Sequence, residues 1–172
     1  MATLPGLGEG FDSIGLQKTD KAYLISAIYR RFHESMVVIV PSSKDGRRVC
    51  DELRFFLGDE ASVVQYLPPY NLLPYKFITS DSETAADRIR VLYNLVNQGV
   101  PPILVTTIDG LMKKTLPRTS LSNYAELIMS GEEFDREKLI EKLEAGGYER
   151  AAIVEEPGDY CVRGGILDIF SP

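Results

Sequence analysis

Tryptophan is absent from this 172-residue chain, histidine occurs once and cysteine twice. Each scarcity removes a class of chemistry. The lone histidine, His33, stands at the end of a helical pattern, so neither a Ser-His-Asp relay nor a Cys-His pair has a base to draw on. Cys50 and Cys161 are far apart, without a CxxC spacing or a histidine nearby. A zinc site therefore lacks ligands, and two reduced thiols are expected. No apolar run approaches the length of a membrane span, and the first residues lack the charged and apolar pattern of a secretory signal. A cytoplasmic protein with no membrane partner is expected. Basic residues are fewer than acidic ones, 19 against 25, and the net charge of −6 argues against strong non-specific binding to nucleic acid.

What remains is an ordinary soluble composition, 44% hydrophobic and 26% charged. Residues 1–12, glycine-rich with Pro5 and without periodicity, are expected to be a flexible lead. Thr19 is placed to cap a helix in which Tyr23, Leu24, Ala27, Ile28 and Phe32 share one side. MVVIV (36–40) is a β-branched run of the kind buried on both faces of a parallel sheet, and Pro41 ends it. Ser43 opens a second helix through Val49, Leu53, Phe56 and Leu57, stopped by Gly58. SVVQYL (62–67) reads as a second strand, and PPYNLLPYKF (68–77) as a proline-punctuated loop. Asp81 or Ser82 caps a third helix carrying Ile89, Leu92, Tyr93 and Val96 to Gly99. ILVTT (103–107) is a third buried strand, followed by a short helix around Leu111 and Met112.

Strand and helix alternate throughout, so 13–117 reads as an α/β domain, a parallel sheet with helices on both faces. RTSLSN (118–123) is a linker by composition. The order then changes to a strand from Tyr124 to Met129, a helix from Asp135 through Leu139, Ile140 and Leu143 to Gly146-Gly147, and short strands. That makes 124–172 a small α+β module. An apolar strand directly precedes Pro172, and later sequence is expected to complete the second sheet.

A phosphate loop belongs at the first glycine turn of an α/β unit, and its pattern is G-x4-G-K-[ST]. The frame here is Gly15-Leu16-Gln17-Lys18-Thr19-Asp20-Lys21-Ala22. Gly15 and Lys21 are in place. Asp20 replaces the second glycine and sets a carboxylate against a phosphate, and Ala22 replaces the hydroxyl that binds magnesium. Neither change is compatible with productive MgATP binding, whereas Asp20 suits the N-terminus of a helix. Two acidic pairs imitate a nucleotidase box. Asp51-Glu52 lies inside a helix, and Glu155-Glu156 precedes Pro157-Gly158 in a turn.

The most informative stretch is YERAAIVEEPGDYCVRGGILDIF (148–170). Glu149 to Val154 reads as a strand, Glu155 to Asp159 as a hairpin turn, Tyr160 to Arg163 as a second strand, and Gly164-Gly165 as the bend into a third. In that third strand Ile166, Asp168 and Phe170 point one way and Leu167 and Ile169 the other. Arg150 and Arg163 sit on adjoining strands. They are either solvated edge charge or a paired guanidinium patch for a carboxylate-bearing partner.

Gly147, Tyr148, Arg150, Pro157, Gly158, Tyr160, Val162, Arg163, Gly164, Asp168 and Phe170 together resemble the UvrA-binding domain of transcription-repair coupling factors, a domain type shared with the excinuclease subunit UvrB. Cys161 stands where UvrB carries another basic residue. The segment 67–95, with its LPY triplet and Arg88, and the segment 103–117 are similar to the same family, as is 15–31, which matches its decayed phosphate loop. The resemblance implies a degenerate RecA-like (P-loop-type) sheet followed by a UvrA-binding module. It implies Arg150 and Arg163 as contacts to UvrA, and no nucleotide hydrolysis by this piece. It implies a parent protein whose motor uses ATP and magnesium to move on double-stranded DNA and displace RNA polymerase. Two rival functions are a UvrB-like or helicase-like nucleotidase and a DNA-binding module using Arg30, Arg31, Arg47 and Arg48. Those four arginines have acidic neighbours on their helices, as solvated helix faces do.

Overall fold

The computed structural model describes residues 15–70, 82–97, 99–125 and 128–172. The expected lead, the LPY triplet, Asp81 and part of the expected strand at 124–129 lie outside the described residues. The chain forms two compact units, 1–69 with 98–112, and 70–97 with 113–172.

The first unit is α/β. Its elements are α1 (Lys18–Phe32), β1 (Met36–Val40), α2 (Ser43–Leu57), a 3-10 segment (Gly58–Val63), β2 (Val64–Leu67), β3 (Ile103–Thr107) and α4 (Ile108–Met112). All pairing is parallel, in the order β1-β3-β2, with Met36 and Val64 both opposite Ile103. Helix α2 starts at Ser43 and stops at Gly58 as expected, and its N-cap is Ser42. The Ser42 hydroxyl accepts the Asp45 amide at 3.1 Å, and Gly58 ends the helix at φ 57°, where a side chain is strained. One sheet face, through Val38, Val40, Val64, Ile103 and Val105, meets Ala22 and Tyr29 of α1 and Cys50, Leu53 and Leu57 of α2.

Three expectations change here. The buried stripe of α1 is Ala22, Ser26 and Tyr29, while Tyr23 is 61% exposed. Apolar spacing missed this stripe because its members are small or amphipathic. The Ser26 hydroxyl donates to the Tyr23 carbonyl, and the Tyr29 phenol donates to the Pro101 carbonyl at 2.7 Å. Gln17, not Thr19, is the N-cap of α1. Finally, β1 is not buried on both faces, since Val37 and Ile39 are 60% and 57% exposed. Within this unit α1 and α2 share one face, and among the described residues β1 pairs with β3 alone.

The second unit holds α3 (Ser82–Asn97), α5 (Arg118–Tyr124), α6 (Arg136–Ala145), β4 (Glu149–Arg150), β5 (Asp159–Arg163) and β6 (Ile166–Ile169). RTSLSN, expected as a linker, is helical and buries Leu121. Pro117 fits the position before its first turn, and polar composition hid the short helix. The expected strand from Tyr124 is not seen among the described residues, since Tyr124 ends α5 and Ile128 and Met129 are irregular. Arg88 of α3 is 2% exposed, with its guanidinium 4.6 Å over the Tyr70 ring. In α6 the Asp135 carboxylate accepts the Lys138 amide at 3.2 Å, and Leu139 and Leu143 pack with Tyr160, Val162, Leu167 and Ile169.

β5 and β6 form an antiparallel hairpin in which Arg163 faces Ile166 across Gly164-Gly165. β4 is shorter than expected and pairs parallel to β5, with Arg150 opposite Tyr160. Residues 151–158 are therefore a return loop rather than a hairpin turn. The Asp159 carboxylate accepts the amides of Glu155 and Glu156 at 3.1 and 3.0 Å, which folds the loop back to the start of β5.

Candidate functional site

The phosphate-loop frame is a helix start. Gly15, at φ 86°, makes a bend and α1 begins at Lys18. The Asp20 carboxylate accepts the Gln17 amide at 3.2 Å and completes a capping box. Lys21 is exposed. Ala22 is 1% exposed and packs in the core beneath α1, so a hydroxyl at 22 faces apolar side chains and not a solvated ligand. Of the imitation acidic boxes, Asp51-Glu52 is inside α2 and Glu155-Glu156 is in the return loop.

The outer face of the second sheet is different in character. Alternation along β5 puts Tyr160 and Val162 into the core and Asp159, Cys161 and Arg163 on the opposite face. Along β6, Leu167 and Ile169 join the core, while Ile166 and Asp168 share the face of Arg163. Ile166 and Phe170 are 61% and 41% exposed. Arg163 is anchored diagonally across the hairpin by Asp168, with which it forms a charge-assisted hydrogen bond. The hydrogen bond to Asp168 pushes the Arg163 ionisation further up, so its charge is permanent. Cys161 is buried on this side, its thiol 3.2 Å from the Ala152 carbonyl, beneath the return loop.

Arg150 does not join Arg163. It lies opposite Tyr160 in parallel register and so takes the Tyr160 face of the sheet. The Tyr160 phenol donates to Glu144 at 2.5 Å, and that bond raises the phenol's pKa, with Arg150 opposing the rise. Both arginines are exposed, but from opposite faces, so they are not a single forked patch. The register of β4 is the cause, because Arg150 pairs with Tyr160, and Tyr160 and Arg163 point to opposite faces of β5.

Two contacts of the site were not foreseen, Asp168 as the partner of Arg163 and Arg136 as the partner of the turn. Asp168 is legible once the Gly164-Gly165 turn fixes the register, because 161 and 168 then face one another. Arg136 had no local signal. Its guanidinium donates to the Gly164 carbonyl at 2.8 Å across 28 residues of chain, and to Glu137 at 2.9 Å. Among the arginines of the DNA-binding alternative, Arg30 meets Glu60 at 3.7 Å, Arg48 meets Asp45 at 2.9 Å, and Arg31 lies over the Phe32 ring. No group of three or more potential metal ligands occurs among the described residues, and none of their helices is long and apolar enough to cross a membrane.

Comparison with known proteins falls on this same module. Residues 127–172 match the family model of the UvrB interaction domain. The chain is 28% identical over 169 residues to a transcription-repair-coupling factor of Myxococcus xanthus, covering 96% of this chain and 14% of the relative. It is 29% identical over 168 residues to that of Bacillus subtilis (strain 168), covering 96% and 14%. To that of Escherichia coli (strain K12) it is 28% identical over 151 residues, covering 87% and 13%. The resemblance read from the sequence is thus found across nearly the whole chain. The chain spans about one seventh of the length of the curated relatives it matches.

Proposed function

We propose that residues 128–172 are the module by which a transcription-repair coupling factor recruits UvrA, the nucleotide excision repair protein, to RNA polymerase stalled at DNA damage. One observation carries this reading. The UvrB interaction domain match coincides with a module whose outer sheet face holds an exposed, permanently charged Arg163 beside exposed Ile166, with exposed Phe170 just past the far end of the same strand. A planar guanidinium next to apolar surface suits a carboxylate set in an apolar rim. Arg163 is the proposed donor of that face. Arg150, on the edge strand β4, reaches the same partner where that partner wraps the edge.

In this reading the first unit is a degenerate RecA-like domain that neither binds nor hydrolyses a nucleotide. The support is local, in that Asp20 is engaged in the helix cap and Ala22 in the core. The ATP- and magnesium-dependent motor, and the contacts to double-stranded DNA and RNA polymerase, are assigned to other parts of the parent protein, acting in the cytoplasm.

The test is capture of the 172-residue chain on immobilised UvrA, wild type against Arg163→Glu and Arg150→Glu. Loss of ten-fold or more with Arg163→Glu is expected, by roughly the cost of truncating one member of a desolvated charge pair. Equal capture of wild type and Arg163→Glu removes the claim. Equal capture with Arg150→Glu confines docking to the outer face. Calorimetric binding of MgATP to the purified chain would overturn the account of the first unit.

A further inference from the structure

The hairpin that presents Arg163 is held at its tip from a distant part of the chain. Gly164 is at φ 59°, and its carbonyl accepts the Arg136 guanidinium at 2.8 Å. Arg136 is the first residue of α6, directly after the Asp135 cap, and a second edge of its guanidinium is fixed by Glu137 at 2.9 and 3.3 Å. A planar fork with two edges engaged has little rotational freedom left. The same helix supplies Leu139 and Leu143 to the core under the sheet, so its N-terminus is itself positioned by packing. Arg136 thereby ties a rigid helix to the turn that lies next to Arg163.

We infer that Arg136 is a positioning residue for docking, holding the Gly164-Gly165 turn so that the backbone of Arg163 presents its side chain from the outer face. This rests on the docking reading above, but its structural part can be measured without UvrA. A two-residue glycine turn has more conformational freedom in isolation than any other, so an external tie changes its population most. The free hairpin, lacking the tie, would offer the partner a competent Arg163 for only a fraction of the time, and affinity falls by that fraction.

The test uses the full chain as wild type, Arg136→Lys, Arg136→Ala, Arg163→Ala, and the Arg136→Ala/Arg163→Ala double variant. The first readout is hydrogen exchange across the hairpin with the carbonyl shift of Gly164 by NMR. Arg136→Ala should speed exchange at the turn and move the Gly164 carbonyl signal, and Arg136→Lys, which keeps the charge and one donor nitrogen but not the planar fork, should restore part of both. An unchanged Gly164 carbonyl in Arg136→Ala overturns the tie. The second readout is UvrA affinity. Arg136→Ala should weaken binding by about 3- to 10-fold, the scale of one charge-assisted hydrogen bond partly transmitted. In the Arg163→Ala background it should add almost nothing, because its effect runs through Arg163. Full additivity of the two losses would make Arg136 a direct contact and overturn positioning. If UvrA binds no version of the chain, the docking reading fails while the exchange data still decide the tie.

Discussion

Replacing Asp168 by Asn should move stability and affinity in opposite directions. Asp168 is the internal partner of Arg163, and the side chains of the two are 65% and 38% exposed for Arg163 and Asp168. At that exposure a cross-strand ion pair stabilises the fold by about 0.2–1 kcal/mol, far below the value of a buried pair. Asp168→Asn removes the charge and keeps the shape, so the hairpin should lose up to about 1 kcal/mol at low salt. A docking partner that brings its own carboxylate must displace Asp168 from Arg163 or share it. Removing the resident competitor should therefore tighten UvrA binding by up to about 5-fold, which is the same ~1 kcal/mol read in the other direction. Urea denaturation and surface plasmon resonance at 50 mM and 500 mM salt read the two effects. Both should shrink at the higher salt, where the screening length falls to several ångströms, on the order of the pair's own separation. If affinity drops together with stability, Asp168 aids docking and does not compete, and the carboxylate-exchange argument is refuted.

The core, the return loop and the thiols give further expected outcomes. A methyl group at Gly46 of α2 would come within 2.5 Å of the Tyr66 ring, so Gly46→Ala should destabilise by about 1–2 kcal/mol despite the helix propensity gained. In a Tyr66→Leu background the same change should turn stabilising, as a double-mutant cycle by urea denaturation would record. The Asp159 carboxyl is held below its ordinary range by the amides of Glu156 and Glu155. Its contribution to the loop is therefore complete above the ordinary Asp value and is lost as pH falls through the depressed one. Amide shifts of Glu155 and Glu156 should follow that titration in NMR and lose it in Asp159→Asn. Cys50 is buried and its thiol is pushed up to about 11, chiefly by that burial, and Cys161 lies under the loop. Neither should react with iodoacetamide at pH 8 until the chain is unfolded, as mass spectrometry would show.

Elements with strong local signals were legible in the sequence. β1 at 36–40, α2 from Ser43, β3 at 103–107 and the Asp135 cap lie where apolar runs, caps and glycines place them. The Gly164-Gly165 turn and the alternation of β6 were legible for the same reason. What was hidden depended on partners distant in sequence. The stripe of α1 runs through Ser26 and Tyr29, whose polar atoms are satisfied by backbone carbonyls, one of them at Pro101. Arg88 is buried with its guanidinium over the ring of Tyr70, a neighbour from a different segment. The separation of Arg150 from Arg163 follows from the register that sets Arg150 beside Tyr160, and no local signal in the sequence fixed that register. Arg136 is the same kind of case, since a charge at a helix start is ordinary until the turn it meets is known.

The strand order of the first unit sets a timetable. The middle strand, β3, is the last of the three to leave a ribosome, and among the described residues β1 and β2 each ladder to it alone. Neither can find its neighbour in the sheet while Ile103 to Thr107 are still being made, so the nascent chain carries two unpaired, apolar strands held only by their helices. A pause in translation before that segment would prolong the interval in which those strands invite a wrong partner.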